Sequence, residues 1–96
     1  MSESIILDFP FSVIGVDKPA KSTISLNNNI KTVEDVFRHL TRLHEPMKNY
    51  FFDEKGEWNS IFNIFVNKKS ILDLKGEKTV LHPGDVVTVL FPYSGG

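Results

Sequence analysis

Cysteine is absent from this chain of 96 residues. Because there is no thiol, the sequence excludes disulfide bridges, zinc sites built on thiolates and a cysteine nucleophile. An excess of basic charge is also missing, since eleven Lys and Arg residues stand against twelve Asp and Glu residues and the net charge is −1. Binding to a nucleic-acid backbone needs a clustered basic surface, so we predict no nucleic-acid partner.

Long apolar runs are missing as well. No run approaches the ~20 residues that cross a bilayer, and the N-terminal MSES segment lacks the basic and apolar regions of a signal peptide. The absence of cysteine is compatible with a reducing compartment. We therefore expect a soluble, cytoplasmic protein without a membrane partner, folded as one domain over residues 1–96.

Side-chain constellations that carry chemistry are not found either. None of the histidines, His39, His44 and His82, has a partner at a metal-ligand spacing. The His44-Glu45-Pro46 segment begins like a zinc-binding helix but lacks the second histidine. The glycines form no phosphate-binding loop, and the carboxylates form no evident acid–base pair. We predict no metal site, no tightly bound cofactor and no side-chain active site in this chain.

Alternating hydrophobicity predicts several strands. An apolar face at Ile5, Leu7, Phe9, Phe11 and Val13 predicts the first strand, in which Pro10 indicates a bulge or an end of pairing. The second strand, residues 21–26, is expected to form a hairpin with it. Further strands are predicted at residues 60–66, 70–72 and 86–91, with Pro83-Gly84 forming a type II turn before the last.

One helix is predicted between the hairpin and the later strands. Thr32 and Asp35 have the spacing of a capping box, and Pro46 should end the helix near Glu45. The apolar face of residues 32–43 consists of Val33, Val36, Phe37, Leu40 and Leu43. This order of elements favours an α+β fold of the ubiquitin-like β-grasp type, in which one main helix packs on one face of a mixed sheet.

The last residues of the sequence, Gly95 and Gly96, follow the last strand almost directly. Glycine has no Cβ, so such a segment is thin enough to enter the narrow active site of another protein. The carboxylate of Gly96 could then be activated as an acyl donor. The alternative is that these glycines simply form a frayed end. We therefore treat residues 92–96 as a flexible C-terminal tail.

Three segments of the second half resemble a known family. They are a Val66-Asn67 turn, the run TVLHPGD at residues 79–85, and the final FPYSGG at residues 91–96. Together they resemble the β-grasp sulfur carriers and ubiquitin-like modifiers: the small subunit of molybdopterin synthase, the thiamine-pathway sulfur carrier and the archaeal modifiers. Phe91 and Tyr93 depart from the family pattern, in which a proline and a small aliphatic residue are common.

The resemblance implies a chemistry at the C-terminus. An E1-like adenylating enzyme would use ATP to adenylate Gly96, and sulfur would replace AMP to leave a thiocarboxylate. The sulfur would be donated in molybdopterin (molybdenum or tungsten cofactor) synthesis, with the large subunit of molybdopterin synthase or another acceptor as partner. Two alternatives stay open: a ubiquitin-like modifier conjugated through Gly96, and a β-grasp interaction domain whose Gly-Gly is unused.

The last strand also offers a surface for partners. If Val87 and Val89 face inward, Thr88 and Leu90 face the other side. We predict that partners contact Leu90, Phe91 and the tail residues Pro92, Tyr93, Ser94, Gly95 and Gly96. The alternative is that Leu90 belongs to the core and is covered by residues 50–52.

Overall fold

The computed structural model describes residues 3–91 of the chain, so the predicted tail at 92–96 lies outside the described part. A five-stranded mixed sheet has the strand order β2-β1-β5-β3-β4. Its strands are β1 (Ser4–Asp8), β2 (Lys21–Ser25), β3 (Asn63–Val66), β4 (Lys69–Ser70) and β5 (Val86–Leu90). The central pair β1 and β5 is parallel, and the other pairs are antiparallel. The helices are α1 (Val33–Leu43) and the short α2 (Lys48–Phe51). The predicted α+β fold is confirmed.

The first strand is shorter than predicted. It ends at Asp8, and the chain then forms a 3-10 turn over Phe11–Ile14. Pro10 has no N–H to donate to the parallel partner strand, which explains why pairing stops there. In this turn the side chains no longer alternate between two faces as they do in a strand, so Phe11 and Ile14 are buried and Val13 is 50% exposed. The prediction that Val13 faces inward is therefore wrong.

The predicted strands at 60–66 and 70–72 are also partly wrong. Pairing in the first begins only at Asn63, although Phe62, Ile64 and Val66 are all buried as predicted. In the second, Ser70 Oγ accepts the N–H of Leu72 at 3.2 Å and the chain turns into a 3-10 helix at Ile71–Asp73. A serine side chain that competes for backbone N–H groups favours such a turn over a strand.

Helix α1 begins with the predicted capping box. Asp35 N–H donates to Thr32 Oγ1 at 3.2 Å, and Thr32 N–H donates to Asp35 Oδ2 at 3.1 Å. Burial raises the pKa of Asp35, but hydrogen bonds from the Lys31 and Thr32 amides outweigh it and the pKa is lowered overall. The helix ends before the Pro46 turn, as predicted. Leu43 is 61% exposed, contrary to prediction, because it lies in the last turn at the edge of the apolar stripe.

The core between α1 and the sheet is built largely from phenylalanine. Phe37 of α1 stacks on Phe51 of α2 with ring centroids 4.2 Å apart, and Phe51 stacks on Phe62 at 5.3 Å. Phe9 meets both Phe37 and Phe62 in edge-to-face geometry. Residues 47–60, which the sequence pattern did not resolve, therefore supply a central core ring through Phe51.

A charged cluster ties α1 to two neighbouring loops. Arg38 donates to Glu34 Oε2 through Nε and Nη2, at 2.9 and 2.7 Å, and Nη2 also donates to the Gly56 carbonyl oxygen at 3.0 Å. Its guanidinium lies over the Phe52 ring, 4.4 Å from the centroid. Lys78 Nζ lies 2.6 Å from Glu34 Oε1. The hydrogen bond from Lys78 and the Arg38 guanidinium hold the pKa of Glu34 below its ordinary value, against the opposing effect of burial.

The stability supplied by Glu34 should decrease in acid. A carboxyl group whose pKa is lower in the folded than in the unfolded protein contributes fully above its unfolded pKa, and the contribution is lost as pH falls through the folded pKa. Urea denaturation should show a gap between the midpoints of the wild type and Glu34→Gln that is largest at neutral pH and closes in acid. Glu54→Gln, at an exposed turn position, is the matched control and should show no such gap. A Glu34 gap that does not change with pH would contradict this prediction.

Candidate functional site

Strand β5 fixes the position from which the tail departs. It lies between β1 and β3 in the middle of the sheet, with Leu7 opposite Val87 and Ile64 opposite Val89. Both valines are essentially fully buried. Phe91, the last described residue, directly follows the strand and packs its ring edge-on against Phe62 at 5.4 Å. Phe91, which we call the root of the tail, is therefore held in place by the central strand and the core.

The turn before β5 is the predicted type II turn. Asp85 N–H donates to the His82 carbonyl oxygen at 3.0 Å, which closes the turn around Pro83 and Gly84. Gly84 has φ of +90°, a backbone conformation that this turn requires at its third position and that glycine adopts without strain. Asp85 Oδ2 also accepts the His82 N–H at 2.8 Å, so the aspartate side chain reinforces the turn.

Asn67 connects this turn to the β3–β4 hairpin. Its Nδ2 donates to Asp85 Oδ1 at 2.8 Å, and its Oδ1 accepts the Val86 N–H at 2.9 Å. Its own N–H donates to the Val86 carbonyl oxygen at 2.9 Å. The Val-Asn turn and the Gly-Asp turn, which carried the resemblance in sequence, are therefore one hydrogen-bonded unit. That unit sets where β5 begins.

Loss of the Asn67 side chain should destabilise the fold. Asn67→Ala removes two side-chain hydrogen bonds. It also places alanine, which tolerates positive φ less well than asparagine does, at a position where φ is 51°. We expect a loss of about 1–3 kcal/mol in the free energy of unfolding, measured by urea denaturation. Asn67→Gly is the matched control, because glycine accepts this conformation and loses only the hydrogen bonds. Equal losses in both variants would show that the backbone conformation contributes nothing.

The outer face of the sheet carries the residues that point away from α1. Leu90 is 51% exposed, so the alternative that it belongs to the core is wrong. Ile6, 43% exposed, is paired with Val86, and Thr88 is paired with the half-buried Phe65. We call these five residues the outer-face cluster: Ile6, Phe65, Val86, Thr88 and Leu90. Sequence reasoning missed Ile6, although an apolar residue on the outward side of an alternating strand was a usable signal.

A groove extends this cluster toward the root of the tail. It has a volume of about 250 Å³ and is lined by Asp8, Pro10, Val13, Ala20, Thr88, Val89, Leu90 and Phe91. The groove exists because β1 turns away after Asp8 while β5 continues to Leu90. Concave apolar surface beside an exposed leucine is typical of a site for a partner's side chain.

The remaining predicted site residues lie outside this region or outside the structure. Pro92, Tyr93, Ser94, Gly95 and Gly96 follow the last described residue. His44 contacts the Phe11 ring at 5.8 Å between centroids. Among residues 3–91, no group of three His, Cys, Asp or Glu side chains is placed to hold a metal ion. No helix in the same range is long and apolar enough to cross a membrane.

The model of the ThiS family matches residues 14–96. This chain belongs to the ThiS family. Comparison with curated protein sequences gave no match. The matched range includes the Asn67–Asp85 unit, β5 and the Gly95-Gly96 end, and so covers all three segments that suggested the resemblance.

Solved structures agree with a ThiS-family fold. Small archaeal modifier protein 1 from Methanosarcina acetivorans is 26% identical with a TM-score of 0.75, and the alignment covers 100% of this chain and 99% of that one. A Pyrococcus furiosus protein described provisionally as molybdopterin converting factor, subunit 1, is 23% identical with a TM-score of 0.68, covering 96% of this chain and 100% of that one.

A third structural neighbour was solved as part of an assembly. It is a chain of the BexX/CysO complex of Amycolatopsis orientalis, 20% identical with a TM-score of 0.67, covering 96% of this chain and 99% of that one. The predicted resemblance to β-grasp sulfur carriers and ubiquitin-like proteins is confirmed. The ubiquitin-like β-grasp fold is confirmed with it.

Proposed function

We propose that this protein is a sulfur carrier that is adenylated at the Gly96 carboxylate and converted to a thiocarboxylate. The observation that carries the proposal is the ThiS family match, because it extends to residue 96 and so includes both terminal glycines. The position of β5 supports it, since the central strand of the sheet leads to the tail. A carrier of this kind supplies a positioned terminus, and its partners supply the catalytic groups.

The proposed chemistry takes place on one carbonyl carbon. On an E1-like adenylating enzyme, a Gly96 carboxylate oxygen attacks the α-phosphorus of ATP, and pyrophosphate leaves. The acyl adenylate has a good leaving group that the carboxylate lacks. A sulfur nucleophile at the oxidation level of sulfide then attacks the carbonyl carbon, and AMP departs with the electron pair of the broken C–O bond. ATP belongs to the partner in this scheme, and this chain needs no tightly bound cofactor.

The leading acceptor pathway in this proposal is molybdopterin synthesis, with the large subunit of molybdopterin synthase as the second partner. The Pyrococcus furiosus neighbour, which is described provisionally as molybdopterin converting factor, subunit 1, supports this choice. Both partners would have to hold the root of the tail. The outer-face cluster and its groove lie beside that root and are available for this contact.

Protein conjugation is a second candidate function. The Methanosarcina acetivorans neighbour, which is named a modifier protein, matches this chain along its whole length at 26% identity. A modifier would use the same adenylate, but a lysine amine of a target protein would attack in place of sulfur. The two functions therefore share the activation step and differ only in the nucleophile.

Intact-mass measurement separates these functions. The 96-residue protein would be incubated with its cognate activating enzyme, ATP and a sulfide source. We expect a gain in mass equal to the exchange of one oxygen for one sulfur. A ladder of conjugates on other proteins, without that gain, would favour the modifier. Unchanged mass together with no conjugates, under conditions in which the enzyme adenylates another carrier, would exclude both functions and leave an interaction domain.

Docking should depend on Leu90. Leu90→Glu places a charge in the outer-face cluster, and a charge buried at an interface is costly. We expect the thermal midpoint to change little, because the side chain is half exposed, and the affinity for the activating enzyme to fall at least about tenfold, measured by calorimetry.

Leu72→Glu is the matched control for this prediction. Leu72 is 85% exposed in the turn after β4, away from β5. The control should bind as the wild type does. Unfolding of Leu90→Glu, or equal loss of affinity in both variants, would show that the outer-face cluster is not the docking surface.

A further inference from the structure

The groove beside Leu90 is lined by one charged residue, Asp8. This aspartate ends β1 and is half-buried, and the remaining lining residues carry no charge. Both ion pairs within residues 3–91 belong to Glu34, and no hydrogen bond in that range reaches the Asp8 carboxylate. A half-buried carboxylate loses part of its hydration without gaining a partner, so it favours a cation in the groove.

Lys21 does not neutralise this carboxylate. It is the residue directly opposite Asp8 on β2, but no ion pair forms between the two side chains. Lys21 also does not line the groove, whereas Thr88, the neighbour of Asp8 on β5, does. The carboxylate is therefore accessible from the groove and has no counter-charge in the described part of the chain.

A backbone acceptor opens onto the same groove. In the parallel ladder, the Ile6 N–H donates to the Asp85 carbonyl oxygen at 2.9 Å, and donors recur at every second residue along β1. The donor for Val89 would be residue 10, but Pro10 has no N–H. The Val89 carbonyl oxygen therefore lacks a donor from β1, and Val89 lines the groove although its side chain is only 2% exposed.

The walls of the groove are apolar. Val13 and Leu90 are each about half exposed and Ala20 is exposed as well, within a volume of about 250 Å³. The groove thus combines apolar walls with two hydrogen-bond acceptors and offers no charged donor. An arginine side chain meets both conditions, because its stem packs on apolar surface and its guanidinium carries five N–H donors in a planar fork. A lysine ammonium is a compact point charge and serves two separated acceptors less well.

We propose that the groove binds an arginine side chain of the activating enzyme. The guanidinium donates hydrogen bonds to the Asp8 carboxylate and to the Val89 carbonyl oxygen, while its stem lies against Val13 and Leu90. This inference rests on the proposed function, because it names the chemistry by which the partner holds the root of the tail.

The arginine has to come from another molecule, and its contact adds to docking through the outer-face cluster. Both arginines of this chain, Arg38 and Arg42, belong to α1, and neither lines the groove. The groove continues the cluster at Thr88 and Leu90, so one partner surface can cover both. Charge complementarity of this kind selects partners, since an enzyme without the cation would leave the Asp8 carboxylate buried and unpaired.

Calorimetric titration of the full chain with its activating enzyme tests the charge. Asp8→Asn keeps the size of the side chain but removes the charge, and we expect an affinity about tenfold lower with an unchanged thermal midpoint. Asp8→Lys should weaken binding further, because it sets two cations against each other. Asp73→Asn, at an exposed position after β4, is the matched control and should bind as the wild type does. The difference between the wild type and Asp8→Asn should narrow as salt is added.

A photo-crosslinking side chain identifies the partner residue. Photo-leucine, a diazirine analogue of nearly the same shape, replaces Leu90 and should crosslink to a segment of the enzyme that contains arginine, located by mass spectrometry. Replacing that arginine with lysine should lower the affinity for the wild type about tenfold, because an ammonium cannot serve both acceptors. The same replacement should have a smaller effect on binding of Asp8→Asn, since two residues in contact are not additive.

Pyrophosphate release from ATP, measured on the same samples, separates this inference from the proposed function. Equal affinity of the wild type and Asp8→Asn, or a crosslinked segment without arginine, would overturn the arginine site while adenylation of the wild type still supports the carrier. A wild type that is not adenylated would overturn the proposed function and this inference with it.

Discussion

Removal of Gly96 should abolish adenylation and sulfur transfer while leaving thermal stability unchanged. Deletion moves the terminal carboxylate back by up to ~3.6 Å, the reach of one extended residue. A displacement of even about 1 Å can reduce the rate of an oriented reaction on the order of a hundredfold. The buried hydrophobic residues of the described chain all lie between 5 and 89, so the folded core does not require residue 96. Pyrophosphate release and intact mass measure the activity, and calorimetry measures the stability.

A milder change in the same tail, Gly95→Ala, should reduce the rate less than the deletion does. Gly95→Ala keeps the carboxylate at its full reach but adds a Cβ, which a narrow tunnel in the activating enzyme would resist. We expect an intermediate loss of rate. If the deletion variant were adenylated and thiolated at the rate of the wild type, the Gly96 carboxylate would not be the reacting group and the carrier proposal would be wrong.

The parts of the fold that could be predicted from sequence are those with local signals. The α1 capping box and the Pro83-Gly84 turn are each specified by residues within four positions of one another. The alternation of Val87 and Val89 with Leu90 also gave the correct facing of β5. In each case the backbone geometry demands particular residue types at particular offsets, so the pattern can be interpreted without tertiary information.

The parts that could not be predicted depend on contacts across the chain. The alternating sequence pattern predicts that the first strand continues past Pro10. Because Pro10 has no N–H to donate, pairing with β5 ends before it, and Val13 is exposed. Phe51 reached the centre of the core from a segment without periodicity, because its ring stacks on Phe37 of α1 and on Phe62. The Asn67–Asp85 hydrogen bond joins residues 18 positions apart. The Val-Asn turn and the Gly-Asp turn could each be recognised in the sequence, but the hydrogen bond between them could not.

In the candidate site, too, the features with local sequence signals could be predicted and those that depend on distant residues could not. The terminal glycines and the outward direction of Leu90 were evident in the sequence. The groove beside Leu90 was not, since it is created by Pro10, Val13 and Ala20, which come from the opposite end of the chain.

Truncation of Phe37 should cause the largest loss of stability among the substitutions considered. Its side chain is fully buried at the centre of α1, stacked on Phe51 at 4.2 Å and in contact with Phe9 and Trp58. Phe37→Ala removes this apolar surface and leaves a cavity that the surrounding rings only partly fill. We expect a loss of ~3–5 kcal/mol in the free energy of unfolding. That is a large fraction of the ~5–15 kcal/mol that stabilises a typical domain.

Leu43→Ala on the same helix is the matched control, because Leu43 is exposed and alanine is a strong helix former. Its effect should stay within about 0.5 kcal/mol. Urea denaturation followed by circular dichroism gives both values, and Trp58 fluorescence offers a second probe because its ring lies 6.0 Å from that of Phe37. A near-neutral Phe37→Ala, or a Leu43→Ala that costs as much, would mean that α1 packs through a different face.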